Sequence, residues 1–412
     1  MGQRLRELVG LFVKLGAISF GGPAAHLALM EQEVVQRRGW LSRAQFLDLL
    51  SATYLIPGPN ALEMAAHVGY VRAGVAGGLA AALAFTLPAA LLTAVLAWAY
   101  VGYGALPHVE PFLWGVKPAI LAILLASLVR LAQSAVKNWQ TALVGLAVAG
   151  ASWAGVQEVA ALVAGGLAGA VLLRWTQPGG NAPADPTPQT ALPTTEPPPN
   201  VTPETTPNPP TQHPAVLIPW LAAGCTGTTA AAGAGAAPVG LGSLTLVFLK
   251  IGAVLYGSGY VLVAYLRGEM LVQRGWLSEQ QLLDAVAAGQ ITPGPLLTTA
   301  TFVGYLVAGA AGAALATAAI MLPGLVLVLL INRWIGRLRA WHGSARLLDA
   351  VNAASIGLTA VVGLMLVRTT LVDWRSGMIA LAAGAATLRW KLPLAIVVLA
   401  GGMTGWLMHG FG

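Results

Sequence analysis

The sequence predicts an all-α integral membrane protein made of two homologous repeats in inverted topology, with broken or re-entrant helices in each. Three observations predict it: too little charge for water, a long stretch of chain that occurs twice, and basic loops that change place between the copies. Of 412 residues, 57% are hydrophobic and 9% charged, against about 25% charged in a soluble domain. The mean hydropathy is +0.73. That balance argues against a soluble enzyme, a disordered regulator and a coiled coil. The 50 glycines and 26 prolines would break helices in water, but they are tolerated in membrane helices that pack closely or are interrupted.

The repeat is read directly. Phe12-Val-Lys-Leu-Gly-Ala17 recurs as Phe248-Leu-Lys-Ile-Gly-Ala253, Arg38-Gly-Trp-Leu-Ser42 as Arg274-Gly-Trp-Leu-Ser278, and Pro57-Gly-Pro59 as Pro293-Gly-Pro295, all at an offset of 236. Gly69-Tyr70, Ala73-Gly74, Gly77 and Pro88 then match Gly304-Tyr305, Ala308-Gly309, Gly312 and Pro323 at an offset of 235, so one residue is lost just after the second Pro-Gly-Pro. Chance does not hold register over such a span, and duplication follows.

The elements follow in order. A first repeat is expected over 1–175. Arg4 and Arg6 ahead of an apolar run resemble a signal peptide, but Lys14 interrupts the run and the segment recurs internally at Phe248, so it belongs to the mature chain. Apolar segments 8–20, 24–35, 44–56 and 61–71 are too short to span, which needs about 20 residues. They read as paired short helices or re-entrant hairpins. Longer runs follow at 75–100 and 112–129, then shorter ones at 142–150 and 159–173. Between 176 and 213 lie twelve prolines, three acids and no Lys or Arg, giving a Pro/Thr-rich linker at 176–214. The apolar stretch within 215–240 has no counterpart in the first half and is long enough for an extra span. The second repeat is expected over 241–412.

An unpaired span would invert that second repeat, and the loop charges agree. The 37–43 loop carries Arg37, Arg38 and Arg43, whereas its counterpart at 273–284 has Arg274 alone, with Glu279 and Asp284. No Lys or Arg lies between 73 and 116, yet the matching stretch holds Arg333, Arg337, Arg339 and Arg346. If basic loops are cytoplasmic, equivalent loops face opposite sides, as in many secondary transporters. The same placement explains the net charge of +7 as topology signals, with no nucleic acid as partner; the partners are the lipid bilayer, a small solute and, in an oligomer, a homodimer copy. A lone Cys225 and six scattered histidines give no metal cluster. No cofactor motif and no nucleophile–base pair is present, so no enzyme is expected.

Candidate binding residues lie at the breaks. Pro-Gly-Pro cannot continue a helix, and irregular backbone at membrane depth survives only where protein or a wet cavity covers it. Pro57, Gly58, Pro59 and Asn60, and Pro293, Gly294 and Pro295, are read as the starts of helices, with each second proline at the first helical position. Their free amides then make a site for an anion. Gly21 and Gly22 offer the same geometry, echoed loosely by Gly257 and Ser258. Lys14 and Lys250 are a matched pair inside short segments, where a lysine costs about 2.5–3.5 kcal/mol on insertion scales and marks a pathway unless it snorkels to the interface. Lys117 is a further cation, matched by Asn352. Asp48 and Asp284, and Glu33 and Glu269, are candidates for protons or ion pairs, with Glu33 four residues before Arg37 in a helix-pair register. Ser42 with Gln45 and Ser278 with Gln281 read as capping boxes, Trp40 and Trp276 suit the headgroup level, and Gly74/Gly78 and Gly165/Gly169 have the spacing of close helix contacts.

The residues Phe20-Gly-Gly-Pro23, Arg38-Gly-Trp-Leu-Ser42, Pro57-Gly-Pro-Asn60, Gly69-Tyr70, Ala73-Gly74, Pro88 and Gly115-Val-Lys-Pro-Ala119, with their degenerate second copy, resemble the chromate ion transporter family in its long, two-repeat form. The sequence departs at Tyr54, where Gln stands in the second copy as Gln290, and at Gly257-Ser-Gly259 in place of Gly-Gly-Pro. The resemblance implies export of chromate, a sulfate-like oxyanion, across the inner (plasma) membrane. With an inside-negative potential each exported charge gains about 2.3 kcal/mol per 100 mV, so a dianion gains about 4.6. Uptake of sulfate or another tetrahedral oxyanion and a channel-like anion pore are the alternatives.

Overall fold

The computed structural model describes residues 2–19, 23–54, 56–104, 106, 109–176, 239–256, 261–332, 343–390 and 392–410. The linker and extra span expected within 177–238, and the candidates Gly21, Gly22, Gly257 and Ser258, lie outside the described residues. All regular structure described is helical, in fourteen α-helices.

The first half runs α1 (Gly2–Ile18), α2 (Pro23–Glu31), α3 (Arg43–Thr53), α4 (Asn60–Tyr103), α5 (Glu110–Ala135), α6 (Trp139–Trp153) and α7 (Glu158–Thr176). The second half repeats it as α8 (Leu241–Val254), α9 (Val261–Leu266), α10 (Glu279–Ile291), α11 (Thr299–Ile331, entered through a 3₁₀ turn at Leu296–Thr298), α12 (Gly343–Thr370), α13 (Trp374–Leu388) and α14 (Leu394–Gly410). The correspondence reaches irregular details. Both α2 and α9 widen at their ends into a π-helical turn, Gln32–Arg37 and Arg267–Val272. Ser42 and Ser278 form the expected capping boxes with Gln45 and Gln281. Asn138 with Thr141 and Asp373 with Ser376 form two more, at the starts of α6 and α13.

By length and apolarity, Asn60–Tyr103, Glu110–Gln133, Leu296–Ile331 and Arg346–Thr370 can each cross a membrane. Two of these double back. At Ala73–Gly74 the backbone leaves helical geometry, with Gly74 at φ 66°, and Ala308–Gly309 repeats this with Gly309 at φ 64°. A methyl group on Gly69 would lie 2.3 Å from the Gly77 carbonyl oxygen, and one on Gly304 would lie 2.4 Å from that of Gly312. Eight residues of straight helix would separate such positions by about 12 Å. Each long helix is therefore a tight hairpin: limbs 60–72 and 75–103 in α4, and limbs up to 307 and from 310 in α11. The spacing of Gly74 and Gly78 predicts that they share one packing face. Gly74 instead supplies the left-handed turn residue that an L side chain resists, while Gly78 packs against Leu329 of the other half.

The halves interlock. Within each half the first helix lies on the hairpin's second limb so closely that Gly16 faces the Phe85 carbonyl, and Gly252 the Ile320 carbonyl. The hairpins α4 and α11 pack on each other. Beyond them, partners are exchanged: α5 packs on α13 and α14, and α12 on α6 and α7. Gly165 and Gly169 meet Ala354 and Ala350 of α12, as Gly401 and Gly405 meet Ala119 and Gly115 of α5. Small residues let these backbones approach where apolar burial gives no net drive.

Candidate functional site

Each Pro-Gly-Pro segment is seated against the other half of the chain. Each follows a short helix; Pro57, Gly58 and the whole of the second segment are buried, and Pro59 is half-buried. Pro59 and Pro295 occupy the N-cap position in extended conformation, at φ −79° and −71°. The helices thus start one residue later than expected, since a proline N-cap loses no helical hydrogen bond. The Gly58 amide donates to the Leu255 carbonyl at 2.5 Å, and the Gly294 amide to the Ser19 carbonyl at 2.8 Å. Ser19 and Leu255 are themselves a matched pair, at the ends of α1 and α8. Each break is tied to the end of the other half's first helix, and this reciprocity is the mark of a pseudo-twofold axis through the crossing.

That bond commits one amide of each break. Leu62 and Glu63 donate to the Pro59 carbonyl, and no side chain caps the start of α4. The amides of Asn60 and Ala61 are then the donors left at that helix start, as helix geometry requires. Ala89, one residue past Pro88, lies against Gly294; Gly324, one residue past Pro323, lies against the Pro57 carbonyl.

Between Gly58 and Gly324 sits a side chain that the sequence reading passed over. The Glu63 carboxyl fills the space that a methyl would take on Gly58, and its Oε1 is 2.6 Å from the methyl position of Gly324. Glu63 is 1% exposed, and neither oxygen has a hydrogen-bond partner among the described residues. His67, one turn further on the same limb, is fully buried and lies near Asn332, which caps the end of α11. The signal available in the sequence was an acid and a histidine four apart directly after a break; their register positions in the second half are Thr298 and Phe302.

The other candidates form three clusters. Lys14 reaches Glu33 at 3.2 Å, and the same carboxylate takes Arg37 at 3.0 Å and Arg38 at 3.5 Å. In the second half Glu269 takes Lys250 and Arg274, each at 2.5 Å. Both glutamates are buried inside the π-helical turns, whereas the lysine side chains are half-exposed at 50% and 39%. Both ammonium groups are therefore shared with carboxylates. The third contact joins the halves: the Tyr100 hydroxyl of α4 donates to Asp284 of α10 at 2.8 Å. Asp284 is buried, while its counterpart Asp48 on α3 is half-buried. The geometry brings each lysine of the matched pair to its glutamate, and no ion pair or hydrogen bond joins Lys117 to Asp284 among the described residues. No group of metal-ligating side chains occurs among the described residues.

At the periphery, Arg38 and Arg72 stack on Trp40 and Arg274 on Trp276. In the connection before α13, hydrogen bonds from Ser376 hold the Asp373 carboxyl below its ordinary range.

Comparison with known proteins gives a family and relatives. The family model described as Chromate transporter matches residues 6–170 and 242–406. The chain is similar to the "Probable chromate transport protein" of Synechococcus elongatus, 32% identical over 96% of this chain and 94% of the relative. It is also similar to the "Chromate transport protein" of Cupriavidus metallidurans, 31% identical over 96% and 91%, and to that of Pseudomonas aeruginosa, 30% identical over 98% and 92%. No solved structure matches the chain.

Proposed function

The chain belongs to the chromate transporter family, and on that premise we propose that it is a secondary transporter exporting chromate by alternating access. The oxyanion is held where the two helix breaks cross, against the amides that start α4 and α11, with Pro57, Gly58, Pro59, Asn60, Pro293, Gly294 and Pro295 forming the cradle. The observation that carries this reading is the reciprocal tie between the breaks, Gly58 to Leu255 and Gly294 to Ser19. A site shared by two equivalent halves can open to either side when the halves rock against each other.

An inverted arrangement is supported by the direction of the hairpin limbs. Gly78, early in the second limb of α4, meets Leu329, late in the corresponding limb of α11. Two helices related by a twofold axis run antiparallel when that axis crosses them and parallel when it lies along them. If these limbs span the bilayer, the axis lies in the membrane plane. The basic 37–43 loop is then cytoplasmic, and the membrane is the inner (plasma) membrane, whose inside-negative potential drives a dianion outward.

Lys14, Lys250 and Lys117 enter as cations along the path, Lys14 and Lys250 sharing their charge with Glu33 and Glu269 until the oxyanion competes for it. Sulfate, of the same shape and charge, competes for the same cradle. Purified protein in proteoliposomes is expected to show saturable chromate counterflow that sulfate inhibits. Lys14→Ala and Lys250→Ala, if inserted normally, are expected to slow it about tenfold, the loss of roughly one charge-assisted hydrogen bond. Unsaturable flux would favour a pore, and full-rate variants would remove the lysines from the path.

A further inference from the structure

Glu63 is the buried acid that the transport scheme above leaves unused, and its surroundings are specific. Its carboxyl lies on Gly58 of the first break and against Gly324 of α11, two positions where the missing side chains leave room for it. It is 1% exposed, and neither oxygen is hydrogen-bonded among the described residues. A carboxylate in such a place is strongly disfavoured. Its place is also where the amides of Asn60 and Ala61 begin α4, the position assigned above to the oxyanion.

The groups that could balance its charge are engaged elsewhere. On its own limb the ionisable neighbour is His67, near Asn332. On α1, Lys14 is held by Glu33 and Glu7 pairs with Arg72. On α2, the ring of His26 bonds to the Ser19 carbonyl. On α3, Arg43 pairs with Glu31 and the acid is Asp48; on α11 the ionisable group is Tyr305; on α10, Glu279 pairs with Arg267 and Asp284 is bound by Tyr100 of α4. None of these is hydrogen-bonded to Glu63. The second break carries no counterpart: Thr298 stands at the register position of Glu63, and the Ala89 methyl fills the place of Gly324.

We infer that Glu63 is the proton-binding residue of the oxyanion site, and that its carboxylate and the oxyanion exclude one another at the first break. In the closed arrangement described here the carboxyl is neutral; where the empty site opens to water it ionises, and the oxyanion binds with the carboxyl protonated again. The proton comes from water on the side to which the site is open, bonds to one carboxylate oxygen, and returns to water when the oxyanion leaves. The carboxyl then offers an O–H donor to the bound anion. Export is thereby linked to one proton. The inference rests on the transport reading, but it fails separately from it.

The test is a proton count. Full-length protein is mixed with chromate in weakly buffered detergent solution containing a pH indicator, in the mildly alkaline range where chromate is a dianion. About one proton is expected to be taken up per chromate bound, with apparent affinity falling about tenfold per pH unit. Glu63→Gln is expected to bind chromate with no proton uptake and a flat pH profile, and Glu63→Asp to restore both. Chromate binding without proton uptake by the wild-type protein overturns the inference even if Glu63→Gln does not fold. So does loss of the proton in His67→Asn with its retention in Glu63→Gln. If the wild-type protein binds no chromate at all, the transport reading itself falls.

Discussion

At the first helix break the Glu63 carboxyl lies between Gly58 and Gly324, whereas at the second the Ala89 methyl lies against Gly294. The side chain in Glu63's register position there, Thr298, turns its hydroxyl to the Pro295 carbonyl at 3.2 Å. The backbones of the two sites agree in their proline N-caps, positive-φ glycines and reciprocal amide bonds. What the halves share is therefore the crossing itself, and what they have divided is its chemistry. One break keeps an ionisable group, and the other is filled by a hydroxyl and a methyl. Phe302, in the place of His67, packs its ring against Tyr100 at 5.4 Å, turning a polar position into a contact between halves.

The largest expected effects test what is shared. Leucine at Gly16 or Gly252 drives side-chain atoms into a backbone carbonyl 2.2 or 2.3 Å from the methyl position, and backbone cannot step aside as a side chain can. Each substitution is expected to destabilise by about 3 kcal/mol, read as lost folded yield and thermal stability in detergent. If only one of the two does so, the halves do not bear equally on the crossing.

Next come the buried glutamates. Glu269→Gln leaves Lys250 and Arg274 with a neutral partner and is expected to cost about 2 kcal/mol. Glu33→Gln is expected to cost about 1 kcal/mol, because two of its three cations are more exposed to water. Equal losses in thermal unfolding would deny that distinction.

A sharper contrast comes from exchanging the fillers. Gly324→Ala puts a methyl 2.6 Å from the Glu63 Oε1 and 3.0 Å from the Pro57 carbonyl. It is expected to lower chromate affinity about tenfold, or about 1.4 kcal/mol. Ala89→Gly opens space at the second break and is expected to lose less, with isothermal chromate titration as the readout.

The smallest effects separate two caps. Asn138→Ala and Asp373→Ala are each expected to cost about 1 kcal/mol. Only the second should depend on pH. The folded-state pKa of Asp373 is depressed, so its contribution is present above the unfolded carboxylate value and fades as pH falls through the folded one. Chemical unfolding of the two variants at neutral and acid pH checks the sign.

Much of this was legible in the sequence because duplication prints every local device twice. The breaks, the Ser–Gln capping boxes and the correspondence of Lys14 with Lys250 stand in register. Glu33 with Arg37 was visible because four residues make one helical turn. Its bond to Lys14 was not, since 19 residues separate them and they stand on different helices. Ala73–Gly74 carries no proline and was read as part of a packing face, although its positive-φ glycine reverses the chain. Glu63 was missed for a physical reason: its meaning comes from Gly324, in the other half, and no period or spacing within one repeat reports a contact between repeats. The exchange of α5 and α12 between halves was hidden in the same way.

Chromate is proposed to move outward through the two halves, driven by the membrane potential. Proteoliposomes loaded with labelled chromate and given a potassium-diffusion potential test it most directly. An inside-negative potential is expected to speed efflux, saturably in chromate, and an inside-positive one to slow it. The direction is the same with or without the proton at Glu63, because a dianion with one proton still carries net negative charge out, at about 2.3 kcal/mol per 100 mV. Efflux that ignores the potential, or that slows when the inside is negative, would contradict the claim.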